Sequence, residues 1–413
     1  MPPANDPSVA AAPQPDTAAA LRDAVDAVVA RDPARGDREL LGALFDAGLA
    51  WVPHPVGLGG LGLPAALQQV VDERLVELGC GFDWMRNPMG VGMIGPAIAR
   101  HGGPRHHALL RPMFTAEDVW CQLFSEPGAG SDLAAAATRA VRDGDEWVVD
   151  GQKVWTTSAH RARYGLLLAR TDPSQPKHRG LSAFVLDMSS PGVEVRPLRQ
   201  MTGGADFNEV YLTGCRIPDA DRVGAEGDGW KVAVTTLMNE RVAIGGETRP
   251  RGSGPIEFAV AAWRSRGHSE SERLDALMRV WIDAEILRLG SVRAKQMRNR
   301  GAVGAEGSVL KLAQARLVQR IMSLATDLAG AHGMLVPGYD GATDAFTDAA
   351  LYFLRSQATT IAGGTTEIMK NILGERVLGL PPEPRVDRDR AWNELDRPNV
   401  AGARAGSTNA GNG

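Results

Sequence analysis

Apolar residues first recur at helical spacing. Leu40, Leu41, Leu44 and Phe45 fall on one face of a helix, and Leu67, Val70, Val71 and Leu75 repeat the pattern. Helical signals of this kind run from 18 to 118. From 119 the character changes to strands. Glu146 to Val149 and Gln152 to Trp155 flank Asp150-Gly151, a two-residue hairpin signal, so the spacing predicts a β-hairpin there. Tyr164 to Ala169, Leu181 to Leu186, Val193 to Val195 and Glu209 to Leu212 add short strands, giving a compact β domain over 119–225. After Gly229 the helical period returns and holds to about 378, and the Pro-Arg-Gly-Ser-Gly-Pro run at 250–255 must interrupt it as a loop. The chain is therefore mainly α with a β insert: an N-terminal α-helical domain over 18–118, the central β domain, and a C-terminal helical domain over 226–390. Residues 1–17, rich in Ala and Pro, and the tail 391–413 have little to bury and are expected to be disordered.

Composition narrows the function classes. The 413 residues are 44% hydrophobic and 23% charged, ordinary globular values, with a formal net charge of −4. No sustained basic run supports nucleic-acid binding. No apolar stretch approaches the roughly 20 residues that cross a bilayer. The first residues lack the basic-then-apolar order of a signal peptide. Cys80, Cys121 and Cys215 lie far apart without CxxC spacing, so reduced thiols and a cytoplasmic location are expected.

Gly57, Gly59 and Gly62 fit GxGxxG, but helical sequence precedes them and no parallel-strand pattern follows, so they read as a glycine-rich connection. His101, His106 and His107 come without HExxH or Cys/His spacing, and no metal site is expected. The segment 121–132, Cys-Gln-Leu-Phe-Ser-Glu-Pro-Gly-Ala-Gly-Ser-Asp, differs in kind. Gly128 and Gly130 allow close backbone approach to a flat or charged ligand, and Ser125 and Ser131 add hydroxyls. A second segment, Lys-Val-Trp-Thr-Thr-Ser at 153–158, puts Trp155 and Thr157 on one strand face. An indole beside a hydroxyl suits a planar heteroaromatic ring.

These two segments resemble the flavin and acyl-CoA signatures of the acyl-CoA dehydrogenase family. Asp228-Gly229-Trp230, Met238-Asn239-Glu240-Arg241, Ala329-Gly330-Ala331-His332-Gly333 and the run Ile361 to Lys370 extend the resemblance over roughly 40–380 in matching order. The resemblance implies a central β-barrel or sandwich and a C-terminal four-helix bundle, with FAD lying where they meet. It implies that Leu123, Phe124, Ser125, Gly130, Ser131, Trp155, Thr156, Thr157, Gly330, Gly333, Thr365 and Glu367 contact the cofactor. Ser131, Met238, Arg241, Gly363 and Gly364 would line the acyl-CoA site. An electron-transferring flavoprotein as acceptor and a homodimer or homotetramer follow from the same likeness.

Oxidising a thioester to its α,β-enoyl form needs a base for a weakly acidic α-C–H and donors to the thioester oxygen. Hydride needs a cofactor acceptor. Many members of the family carry the base just before the Gly-Thr of the C-terminal motif, where this chain has Gly363. Members of the isovaleryl and long-chain type carry it on a helix of the C-terminal domain, and Glu240 fits that arrangement. Ala233, Thr236, Leu237, Ala243 and Ile244 share its helical face, an apolar setting expected to raise the carboxyl pKa. One departure stands out. The family's Arg-x-x-Phe-Gly motif, which reaches the cofactor diphosphate of a neighbouring subunit, is absent from Ala259 to His268. An oxygen-reacting flavoenzyme and a non-catalytic acyl-CoA-binding protein are the alternatives on this fold.

Overall fold

The protein is described by a computed structural model covering residues 15–31, 36–80, 86–245, 249–266, 270–299, 306–336, 348–384 and 387–395, with the side chains at 15, 240–245, 266, 298–299 and 306 outside the description. It opens with helices α1 (Pro15–Ala30), α2 (Asp37–Asp46), α3 (Gln68–Glu77), α4 (Gly95–His101), α5 (Pro104–His107) and α6 (Leu110–Phe114). The expected apolar faces are the buried ones: Leu41, Leu44 and Phe45 on α2, and Val71 and Leu75 on α3. The Gly57/Gly59/Gly62 segment is a connection between helices, in which Gly60 admits the carbonyls of Trp51 and His54 where a Cβ would lie 2.4 and 2.2 Å from them.

Strands follow: β1 (Trp120–Leu123), β2 (Arg139–Asp143), β3 (Glu146–Thr157), β4 (Tyr164–Arg170), β5 (Leu181–Asp187), β6 (Val193–Leu198), β7 (Phe207–Pro218) and β8 (Arg222–Val223). Their order is β6-β7-β3-β2-β4-β5-β8, with β1 beside β4. Among the described residues β6 and β8 end this path, so the sheet is open and is not closed into a barrel, one of the two forms, barrel or sandwich, that the resemblance implied. Among the described residues β6 pairs with β7 and β8 with β5, so the two edge strands do not meet; β2 and β4 pair only at Arg139 and Arg170, and the two halves of the path face each other across a shared core. Leu167, Ala169, Phe184 and Leu186 supply one side of that core, and Trp147, Val149, Val210, Leu212 and Ile217 the other. Leu166 and Leu168, on the opposite face of β4, pack with the N-terminal helices. Burial of both faces is why this strand reads as an unbroken apolar run.

The hairpin expected at Asp150-Gly151 is not there. Glu146–Thr157 is one strand, and the turn lies between β2 and β3 at Gly144, whose φ is +66°. Asp150-Gly151 instead sits at a bulge against β7, where Val149 pairs Cys215 and Gly151 pairs Leu212. Gly214 takes φ +57° and its N–H donates to Asp150 Oδ1 at 2.8 Å. A Cβ on Gly151 would meet Thr138 Oγ1 at 2.4 Å, so the glycine serves close strand approach and not a turn.

The C-terminal helices are α7 (Gly229–Gly245), α8 (Ile256–Arg266), α9 (Ser271–Asn299), α10 (Glu306–Ala329), α11 (Ala349–Ser356) and α12 (Thr366–Arg376). The loop through Pro250–Pro255 breaks α7 from α8 as expected. Residues of α8, α9 and α10 form one core, with Tyr352 and Phe353 of α11 packed on it. The described buried apolar side chains of α7 lie outside that core. The helix buries Val232 and Ala233 with the N-terminal helices and crosses β5 so closely that a Cβ on Gly229 would lie 2.6 Å from Ser182. No described helix is long and apolar enough to cross a membrane.

Two expectations of disorder meet ordered chain. Helix α1 begins at Pro15 inside the 1–17 segment. Ala391–Leu395, expected in a disordered tail, return to the β domain, where Trp392 is 7% exposed and Ala391 bridges Pro176. One tryptophan in a polar run supplies enough apolar area to hold the segment, about 1.5–3 kcal/mol when buried.

Candidate active site

The segments 121–132 and 153–158 lie side by side. The Val154 N–H donates to the Ser125 carbonyl at 2.9 Å. Beneath that contact Lys153, fully buried, sends Nζ to the Phe124 carbonyl (3.1 Å), the Leu168 carbonyl (2.7 Å) and Glu126 Oε1 (2.8 Å). Glu126 also accepts from the N–H groups of Ala137 (2.6 Å) and Thr138 (2.9 Å). Burial alone would lift the Glu126 carboxyl, but the Lys153 charge and these hydrogen bonds outweigh it and hold it below the usual carboxylate range. Burial depresses the Lys153 ammonium, and Glu126 offsets part of that effect. The pair fixes the loop after β1 to β3 and β4. Neither residue was among the expected site residues. No local signal marks them, since strand alternation puts Lys153 on the face of Trp155 and Thr157 and Glu126 lies in the loop after β1.

Above this node β3 bulges. Lys153 pairs Val210 and Thr156 pairs Asn208, so one residue too many sits on β3. Trp155 absorbs it at φ +59°, a left-handed conformation rare outside glycine, and is 60% exposed. Its indole meets Phe207 edge-on with centroids 6.0 Å apart, and Phe207 is the cross-strand partner of Thr157. Trp155, Thr157 and Phe207 therefore share one face, as the strand spacing required for the first two. Thr156 points inward, and its Oγ1 and the Oδ1 of its neighbour Asn208 are buried without a hydrogen-bond partner. From the C-terminal helices the Arg355 guanidinium on α11 lies over the Phe207 ring, 5.4 Å from its centroid. Desolvation lowers the pKa of this guanidinium, partly countered by Asp206.

The other expected residues are placed as follows. Leu123 and Phe124 are buried in the core. Ser125 is half-buried, and Gly130 and Ser131 are exposed on the same loop. Met238 is exposed on α7, and Ala233 and Thr236 on the face assigned to Glu240 are buried, with Leu237 partly so. The side chains of Glu240, Arg241, Ala243 and Ile244 lie outside the described residues. Gly363 and Gly364 take φ +67° and +97° just before α12. Thr365 caps that helix, its Oγ1 accepting from the Ile368 N–H at 3.2 Å, and Glu367 is exposed in the first turn. Gly330 and Gly333 lie in the turn that ends α10. No described hydrogen bond or ring contact joins these C-terminal positions to Trp155. Within the chain, then, the 123–125 and 153–157 residues come together.

Comparison with known proteins assigns the class. The model for the acyl-CoA dehydrogenase middle domain matches residues 121–215, and that for the C-terminal domain matches 227–378. Acyl-CoA dehydrogenase IpdE1 of Mycobacterium tuberculosis is 37% identical, with 83% of this chain aligned to 87% of that protein. Acyl-CoA dehydrogenase FadE34 of the same organism is 38% identical over 88% of this chain, which spans only about half (49%) of its length. A solved structure described as "Tcur3481-Tcur3483 steroid ACAD" superposes with a TM-score of 0.69 at 28% identity, covering 90% of this chain and 99% of that one. The chain belongs to the acyl-CoA dehydrogenase family, a family of FAD-dependent oxidoreductases.

Proposed function

We propose that this chain binds FAD and converts an acyl-CoA thioester to its 2-enoyl-CoA, with Glu240 as the base. The observation that carries the reading is Trp155. A strained, exposed indole beside Thr157, on a strand tied to the Ser125 loop, fits one side of a flat heteroaromatic ring. Bound FAD supplies the acceptor for the β-hydride. The protein supplies the rest. Glu240 takes the α-proton onto its carboxylate, and the backbone N–H at Gly363 polarises the thioester carbonyl. Ser131 and Arg241 orient the acyl-CoA. Ser125, Gly130, Gly330, Gly333, Thr365 and Glu367 hold the cofactor. Gly363 supports the choice of base, because a glutamate there would have to occupy φ +67°.

Electrons then pass to an electron-transferring flavoprotein. A homodimer or homotetramer is supported by an exposed apolar stripe on α9, formed by Leu274, Met278, Ile282, Ile286 and Leu289. The solved relative carries two component names, so a second, related chain on that stripe is the other arrangement to test. Free Cys80, Cys121 and Cys215 support a reducing compartment, the cytoplasm. The test is anaerobic titration of the flavin-loaded protein with straight-chain, branched and steroid-derived acyl-CoA esters. Bleaching by at least one ester is expected. Failure with all of them refutes the reading.

A further inference from the structure

The run Leu133-Ala134-Ala135-Ala136-Ala137 follows Ser131 and Asp132, and alanines offer nothing to anchor a loop by its side chains. The backbone is held from outside instead. Arg170, 2% exposed, donates Nη2 to the carbonyls of Ala134 (2.6 Å) and Ala136 (3.0 Å) and Nε to Ala136 (3.1 Å). Glu126 takes the next two N–H groups. The carbonyl between, Ala135, is taken by Trp392 Nε1 at 3.3 Å. Trp392 also lays its ring 4.4 Å from the Arg170 guanidinium carbon, covering the cation that grips the loop.

A second clasp lies beside the first. Lys177 Nζ bridges Asp132 (2.8 Å) and Asp387 (2.6 Å), joining the residue after Ser131 to the start of the same C-terminal segment. Backbone pairing completes it: Trp392 N–H to Gln175 carbonyl at 2.9 Å and Asn393 N–H to Pro173 carbonyl at 3.0 Å. The segment Asp387–Leu395 thus crosses the 172–180 loop and ends on the Ser131 loop.

We propose that Asp387–Leu395 is a strap that positions the Ser131 loop for acyl-CoA, with Trp392 and Asp387 as positioning residues that never touch the substrate. This rests on the reading that Ser131 contacts acyl-CoA. The loop sets where the thioester portion lies, so loosening it weakens substrate binding and leaves the proton and hydride steps intact once substrate is seated.

The test uses the flavin-loaded full chain with Trp392→Ala, Trp392→Phe and Asp387→Asn, the last a partly exposed site whose change preserves shape. Trp392→Ala and Asp387→Asn should raise KM for the acyl-CoA about tenfold with kcat within about twofold, and Trp392→Phe, which keeps a ring over Arg170, should recover most of the loss. Hydrogen exchange supplies a readout independent of turnover: amides at 131–136 should exchange about tenfold faster in both loosened variants. Unchanged KM and unchanged exchange overturn the strap, as does a fall in kcat alone that tracks lost folded protein. If the wild-type protein bleaches with no acyl-CoA, the functional reading fails, and the exchange arm still decides whether the strap holds the loop.

Discussion

Lys153→Met tests the physical core of the site. The side chains have similar length, so the variant removes a charge and three hydrogen bonds without opening a large cavity. Glu126 would remain buried with only the Ala137 and Thr138 N–H groups. Removing one member of a buried ion pair costs about 3–5 kcal/mol, because the other charge is left uncompensated. That corresponds to a fall in melting temperature of roughly 10 °C. Differential scanning calorimetry of wild type, Lys153→Met, Glu126→Gln and the double variant reads the effect. The double variant should be more stable than the sum of the singles predicts, by about 2–3 kcal/mol of coupling. The pH dependence has a definite sign. In the wild type the folded Glu126 pKa is depressed, so its stabilisation is present above the ordinary carboxylate pKa and is lost as pH falls through the folded value. In Lys153→Met burial is opposed only by the Ala137 and Thr138 N–H groups, so the pKa rises relative to the wild type and the variant's deficit shrinks as pH falls and the carboxyl takes up a proton. A melting temperature within about 1 °C of wild type, or strictly additive singles, refutes the argument.

Trp155→Gly removes an exposed indole and relaxes a left-handed residue, so its melting temperature should match or exceed wild type by up to about 1 kcal/mol of stability while flavin content after purification drops sharply. His54 packs against Trp51, and burial pulls its pKa down to about 4, so the folded state favours the neutral ring. Stability from this group is intact above its ordinary pKa of 6.5 and is lost as pH falls towards about 4, a change of about 1–3 kcal/mol that His54→Phe should flatten in melting curves taken across that range. Gly151→Val should destabilise the chain by about 2 kcal/mol or more, since its Cβ would overlap Thr138, whereas a residue in an ordinary turn would tolerate the change.

The helical, strand, helical order was legible because each region keeps its own period, and the apolar faces of α2 and α3 were named residue by residue. The hairpin was misplaced because two Asp-Gly pairs, at Asp143-Gly144 and Asp150-Gly151, stand seven residues apart. Local chemistry cannot rank them. The distant strand β7, with Gly214 pairing to Asp150, decides which becomes the turn. Closure of the sheet was equally invisible, since it depends on whether the edge strands β6 and β8 meet and not on any strand's own pattern. The shared face of Trp155 and Thr157 was legible, because a strand face needs only a two-residue period. The bulge that exposes Trp155 was not, because it requires knowing the Val210 and Asn208 partners. Nothing local marks Lys153 and Glu126 for burial, and Trp392 stands in a polar tail. In each case the missing information was the contact across the fold that makes a polar or isolated residue worth burying.

The base itself is best tested by stopped-flow flavin reduction under anaerobic conditions, comparing wild type with Glu240→Gln on whichever acyl-CoA bleaches the wild-type protein. The account predicts that the variant keeps its flavin and its ligand affinity while reduction slows by about 10²–10⁴-fold, the contribution of a positioned general base. Reduction within about threefold of wild type would contradict it and return the proton to another group.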